Sequence, residues 1–290
     1  RFSPKQLRNE HVSRVYGKSY STGRAAVVVA SAKNVKIRGR GIISGMNAYE
    51  NGRRFLLLES NFAAGLDIDG VILADNSNWA TMFSNSERLR VNNLKVIGWF
   101  ANSDGICISG CSDVVVRNSF VHGADDALEI KAWRPVRNVL FENCQAWADV
   151  GTAMGLTHEI FAPVENVVWK DITVLRYTPS ARTPHQRGLM TVHASAGGSV
   201  NNVRFENIRV ESSTSGRPLI RVDNAKLDWG GRAANTDKPF SRITDVTFKG
   251  VRAEDVKNPA IRIEDHSGNG LVSGISSIDV QANGRALTVE

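Results

Sequence analysis

One short pattern of apolar and polar positions keeps returning along the chain: apolar, any residue, apolar, any residue, then Asn, Asp or Gly. It reads Val35-Lys36-Ile37-Arg38-Gly39, Leu66-Asp67-Ile68-Asp69-Gly70, Leu89-Arg90-Val91-Asn92-Asn93 and Val114-Val115-Val116-Arg117-Asn118. Later copies are Val139-Leu140-Phe141-Glu142-Asn143, Val167-Val168-Trp169-Lys170-Asp171, Val203-Arg204-Phe205-Glu206-Asn207 and Val246-Thr247-Phe248-Lys249-Gly250. Alternation with period two belongs to strands. In most copies another apolar residue follows the fifth position, as in Asn93-Leu94, Asp171-Ile172 and Asn207-Ile208, which predicts a strand, a one-residue corner and a second strand. Asn and Asp suit that corner because their side chains bond locally and tolerate the left-handed region.

The first positions of successive copies are 31, 23, 25, 25, 28, 36 and 43 residues apart. A near-constant step in the middle, lengthened by insertions outside it, marks a solenoid. A coil of about two dozen residues cannot bury its inward face alone, so coils stack in parallel at about 4.8 Å and share a core. The expected fold is all-β: a right-handed parallel β-helix, with residues 1–290 forming a single domain. Leucine-rich repeats have a similar period, but their LxxLxLxxN signature is missing. The insertions Pro179–Gln186 and Asp228–Pro239 are expected to wall a groove on one face.

Composition narrows the picture only modestly. The chain has 290 residues, 42% hydrophobic and 22% charged, enough for one large core and unlike a disordered segment. No run approaches the roughly 18 apolar residues of a membrane-spanning helix, so a membrane is not an expected partner. The start, Arg1-Phe2-Ser3-Pro4, has neither initiator Met nor the apolar core of a signal peptide, and is read as that of a trimmed chain. Cys107, Cys111 and Cys144 have no CxxC spacing and are read as small buried residues. A net charge of +7 would favour polyanions, but Lys and Arg are scattered and no nucleic-acid motif accompanies them.

Candidate chemistry concentrates in two consecutive coils. Asn102-Ser103-Asp104-Gly105 precedes one copy of the repeat, and Gly123-Ala124-Asp125-Asp126-Ala127-Leu128-Glu129-Ile130-Lys131 precedes the next. Asp104 and Asp125 are 21 residues apart, about one coil, so their side chains are expected to be near neighbours. Asp125 and Asp126 would point to opposite faces of an ideal strand, so a shared site requires a bend, which Gly123 permits. Three close carboxylates cannot all ionise freely, and one is expected to keep a proton into the range a general acid needs. Solvated corner aspartates are the plainer reading of the spacing alone.

At these residues the chain resembles glycoside hydrolase family 28, the polygalacturonase-like β-helix enzymes, whose signatures read roughly NTDG and, one coil later, DDCIAIK. Family 49, the dextranases and isopullulanase, carries a similar aspartate trio. The resemblance implies inverting hydrolysis without a metal or organic cofactor. Asp125 would be the general acid, and Asp104 and Asp126 would activate water on the opposite face of the sugar. It also implies a polysaccharide or oligosaccharide as partner and a secreted or periplasmic location.

Two departures point to a different sugar specificity. Thr152 stands where the family's GHG motif has its histidine, and Gly188-Leu189-Met190-Thr191-Val192-His193 stands in place of RIK, whose cations would contact a uronate carboxylate. Arg187 and Lys131 are candidates to replace those cations. His158, Glu159 and His193 are candidate substrate contacts, and His122 a candidate to tune Asp125. Trp99 and Trp133 are candidates to stack on sugar rings, whereas Trp169, inside a repeat strand, is assigned to the core. Two other functions stay open on the sequence: a polysaccharide lyase whose aspartates hold Ca²⁺, and a non-catalytic carbohydrate-binding β-helix.

Overall fold

The repeat folds as its alternation predicts. A computed structural model describes residues 25–46, 56–100, 102–179, 187–195, 197–226 and 238–289. The segments expected to wall the groove lie mostly outside these residues.

Nine strands stack in one parallel sheet: Ala25–Ala30, Leu56–Asn61, Thr81–Ser84, Ile106–Ser109, Leu128–Ala132, Met154–Ile160, Met190–His193, Ile220–Asp223 and Ile261–Glu264. The remaining strands form a fifteen-stranded sheet that carries the repeat itself. In the middle coils this sheet is two ladders meeting at the one-residue corner. Val164–Tyr177 runs through that corner without a break and joins the ladders. Every strand pair is parallel except the last, where Val272–Ala282 pairs antiparallel with Arg285–Ala286 across Asn283 and Gly284.

The corners explain the fifth position of the repeat. Asn93, Asn118, Asn143, Asp171 and Asn207 all have φ between 50° and 54°, and Gly39, Gly70 and Gly250 at equivalent places are also left-handed. Three of these Asn side chains also bond the coil beneath: Asn118 Nδ2 donates to Asn92 Oδ1 at 2.8 Å, Asn143 Nδ2 to Asn118 Oδ1 at 2.8 Å and Asn207 Nδ2 to Asp171 Oδ1 at 2.6 Å. A second ladder of left-handed residues rises beside the first. In it Asn138 Nδ2 donates to Asp113 Oδ1 at 2.9 Å, Asn166 to Asn138 at 3.0 Å and Asn202 to Asn166 at 2.8 Å.

Inside, equivalent residues stack on one another. Phe141, Trp169, Phe205 and Phe248 occupy one register column, with ring centroids 5.4, 4.8 and 4.7 Å apart and planes within 12° of parallel. Trp169 is therefore a core residue, as assigned. The three cysteines are buried free thiols, and burial pushes Cys111 up to about 12 and Cys144 up to about 11.

Candidate active site

The nine-stranded sheet turns apolar residues such as Ile106, Leu128, Met154 and Met190 inward and its alternate positions outward. The outward positions of Leu128–Ala132 and Met154–Ile160 carry Glu129, Lys131 and Glu159, and with the turns that precede Ile106 and Leu128 they build the site. Observed register pairs Ile106 with Leu128, so Asp104 lies level with Asp126, and the Gly105 amide donates to the Asp126 carbonyl at 2.8 Å. The match with Asp125 expected from coil length is off by one residue. The chain bends through Ala124, Asp125 and Ala127, and that bend brings the carboxyl of Asp125 to the same place.

Small residues allow this approach. A Cβ on Gly105 would lie 2.5 Å from the Ala127 carbonyl oxygen, and one on Gly151 would lie 2.4 Å from the Asp125–Asp126 peptide. The buried Ser103 hydroxyl accepts from the Ala124 amide at 3.0 Å, tying the two acidic segments together. From the next coil the Thr152 amide donates to Asp126 Oδ1 at 2.6 Å. Arg217 Nη1 holds that turn by donating to the Val150 carbonyl at 2.8 Å.

Two cations organise the carboxylates. Arg187 Nη1 donates to Asp125 Oδ1 at 2.6 Å and lies 3.3 Å from Asp126 Oδ1, so one nitrogen serves both. Lys131 Nζ lies 3.0 Å from Glu129 Oε2 and 3.4 Å from both Asp104 Oδ2 and Glu159 Oε2, with the Trp79 ring 5.0 Å away. Asp125 is the carboxylate open to solvent, its side chain 17% exposed against 1% for Asp126. Burial alone would push Asp126 up, but Arg187, Lys131 and the Thr152 amide outweigh it and hold the group below the ordinary carboxylate value. Asp104 goes the other way: burial, reinforced by Glu129, raises it well above that value. The site thus separates one carboxyl that keeps its proton from one that loses it readily.

The outer ring of candidates is also placed. Strand Met154–Ile160 carries extra residues relative to Leu128–Ala132, and the register shifts there. His158, at φ 54°, sits in this bulge with Glu159, which re-aims both side chains toward the cations. Arg187 Nε donates to His158 Nε2 at 3.0 Å, so the imidazole carries its proton on Nδ1. The His193 ring packs 4.7 Å from that of His158, and its Nδ1 bonds Asp223 at 2.7 Å. Arg221 Nε donates to Asp223 at 2.7 Å and its other end to Glu264 at 2.7 Å. His193 and Arg221 outweigh burial and hold Asp223 below its ordinary value.

Lys131, His158, Glu159, His193 and Arg187 therefore adjoin the three aspartates in one continuous network. His122 does not join it. Its Nε2 bonds Asp149 at 2.7 Å and its ring packs against Trp147 at a tilt of 37°, on the other sheet. Trp133 is buried against Trp79, and Trp99 is exposed with its Nε1 donating to Asp75 at 2.9 Å. Glu129, Asp223 and Arg221 were not anticipated. The readable signal for Glu129 was a charge between the apolar Leu128 and Ile130 of a short strand. Asp223 and Arg221 had a weaker one, in alternation within Ile220–Asp223.

Asp104, Asp126 and Glu129 each place a carboxylate oxygen within 4.8 Å of the others, a spacing that suits a cation. The Lys131 ammonium stands against two of the three, so a side chain already supplies the countercharge.

Residues 13–288 match the family model described as glycosyl hydrolases family 28, and the chain belongs to that family. The match decides between families 28 and 49. Probable exopolygalacturonase B of Neosartorya fischeri is 23% identical over 248 residues, covering 76% of this chain and 52% of that protein. The probable endopolygalacturonase D of the same fungus is 24% identical over 148 residues, covering 51% of this chain and 28% of its own. The chain thus spans about half the length of the first of these relatives and less of the second. Among solved structures, the endo-xylogalacturonan hydrolase of Aspergillus tubingensis superposes with a TM-score of 0.66 at 14% identity, over 91% of this chain and 74% of that one. The polygalacturonase of Erwinia carotovora does so with a TM-score of 0.65 at 18% identity, over 91% and 72%. Both likenesses are of fold.

Proposed function

We propose that the protein is an inverting glycoside hydrolase that cleaves glycosidic bonds of a polysaccharide or oligosaccharide, polygalacturonase-like but with its own sugar specificity. The observation that carries this reading is the convergence of Asp104, Asp125 and Asp126 beside Arg187 and Lys131 on one outward face. Asp125, the most exposed, is the carboxyl that meets the glycosidic oxygen. Arg187 Nη1 occupies its Oδ1 at 2.6 Å, so acid catalysis requires substrate to displace that guanidinium from Asp125. Asp126, kept ionised, receives the proton of the attacking water, while Asp104 holds that water from the buried side.

The divergent specificity rests on the missing uronate reader. Thr191 and His193 occupy the RIK place, His193 is committed to Asp223, and Arg187 is engaged by carboxylates of the site itself. The polymeric substrate in turn argues for a secreted or periplasmic protein.

The test is reducing-sugar release from pectic, rhamnogalacturonan, dextran, pullulan and bacterial acidic polysaccharides, with Asp125→Asn in parallel. Release by the wild type and its loss in the variant, with folding intact, support hydrolysis. Equal release by both sinks the assignment. Tight oligosaccharide binding without turnover by either makes the protein a carbohydrate-binding β-helix. A chelator-sensitive product with a new C=C bond makes it a lyase.

A further inference from the structure

Glu129 has no part in the roles given above, and it stands where the family pattern DDCIAIK reads alanine. Its side chain is 1% exposed. It lies in register with Cys107 of the preceding coil and Gly155 of the next. Thr157 Oγ1 donates to its Oε2 at 2.8 Å, Lys131 Nζ lies 3.0 Å from the same oxygen, and Asp104 and Asp126 lie within 4.8 Å. Burial, with Glu129 alongside, also keeps the neighbouring Cys107 thiol protonated.

The surrounding charges do not balance. Asp104, Asp125, Asp126, Glu129 and Glu159 face Lys131 and Arg187, an excess of three negative charges if every carboxyl ionises. A nearly dry site does not hold such an excess, and carboxyls there retain protons instead. Asp126 has Arg187 and the Thr152 amide, and Asp125 has Arg187. Among the described residues, Asp104 Oδ1 and Glu129 Oε1 are buried oxygens that receive no hydrogen bond from an N–H or O–H donor. Asp104 and Glu129 are close enough for a carboxyl–carboxylate hydrogen bond, so one proton shared between them removes one charge. Burial raises both groups, Asp104 well above its ordinary value and Glu129 up to about 7.

We propose that Glu129 is a positioning residue: it shares one proton with Asp104, anchors Lys131, and leaves Asp126 as the single ionised member of the water-activating pair. Because the Asp104 proton is held against Glu129, Asp126 is left as the one carboxylate that can accept the proton of the attacking water. Were both ionised, Asp104 and Asp126 would compete for that proton. The purpose of the shared proton rests on the hydrolytic reading, but the proton itself does not.

The experiment is ¹³C NMR of protein labelled at the glutamate carboxyl carbon, titrated from about pH 4 to 9. The expected result is one glutamate resonance with a midpoint near 7, absent from Glu129→Gln and moved down by Asp104→Asn, whose amide donates where the proton had been. No resonance with a midpoint above about 6, or one that survives Glu129→Gln, overturns the proposal. Should Glu129→Gln fail to fold, the response of the wild-type resonance to Asp104→Asn decides alone, and an unmoved midpoint counts against it.

The kinetic arm uses whichever polysaccharide the wild type cleaves. Glu129→Gln is expected to lower kcat at least about ten-fold with KM nearly kept, and to move the alkaline limb of the pH profile. An unmoved limb counts against the proposal. Failure of the hydrolytic reading would leave the NMR result standing, whereas an ordinary Glu129 titration in an active enzyme removes this inference alone.

Discussion

The two sides of the solenoid are built on opposite rules. On the fifteen-stranded side neighbouring coils repeat one another, asparagine over asparagine and ring over ring. On the nine-stranded side the three coils that carry Asp104, Glu129 and His158 share an inward face and nothing else. Repetition adds a similar small gain per coil, as expected for a quasi-one-dimensional stack. The charged face instead concentrates desolvated groups that stabilise the fold little or not at all. The solenoid thus separates the residues that maintain the fold from those of the candidate site, although both sit on the same coils.

The sharpest way to break this comparison is to damage each side and ask whether pH matters. Trp169→Ala opens a cavity between Phe141 and Phe205 and is expected to cost about 4–5 kcal/mol in denaturant unfolding, equally at pH 5 and pH 8. Lys131→Met removes the cation shared by Asp104, Glu129 and Glu159 and is expected to cost about 3–4 kcal/mol at pH 8. The loss should shrink at pH 5, where the orphaned carboxyls take up protons; a pH-independent loss would show that Lys131 acts by packing.

A third measurement isolates Glu129. A carboxyl raised from 4.5 to about 7 binds more proton in the folded than in the unfolded chain. Its contribution to stability therefore falls as pH rises across that window and is flat above it. Replacing it with Gln should remove a decline on the order of 3 kcal/mol between pH 4.5 and 8, read from unfolding midpoints.

Smaller effects belong to the repeated side. Asn143→Ala loses the bond to Asn118 and puts a Cβ without local bonding into a left-handed corner, at about 1–2 kcal/mol. Asn143→Gly should recover part of this, because only the hydrogen bond is then missing. Least of all, Arg252→Ala, which breaks an exposed pair with Asp279, is expected to leave the melting temperature unchanged.

Legibility followed the same division. The corner residues could be read directly, since Asn93, Asn118, Asn143, Asp171 and Asn207 recur with the strand alternation and adopt the left-handed conformation that their chemistry suggests. The second asparagine ladder recurs at the same intervals, but it falls inside strands, where Asn138 and Asn166 read as ordinary outward polar residues. In the site, the coil step brought Asp104 near the aspartate pair but missed its register by one residue, because loop lengths between strands are not constant. Arg187 was named only as a candidate replacement cation. Its grip on Asp125 depends on chain folding back two coils later, which no local pattern encodes. His122 misled because three residues of sequence separation from Asp125 cross a corner, and its ring ends on a different sheet.

Arg187 also bears on the order in which the molecule becomes competent. A solenoid can nucleate at any coil and grow by adding neighbours, and most of its contacts close within one repeat. The Arg187–Asp125 contact joins residues 62 apart and reaches across the coil of His158. It forms only after three coils have stacked in register. A chain stalled one coil short would already bury much of its core and look folded by strand content. It would lack the guanidinium that holds Asp125 and Asp126, so the candidate site is completed later than the coils that carry its aspartates.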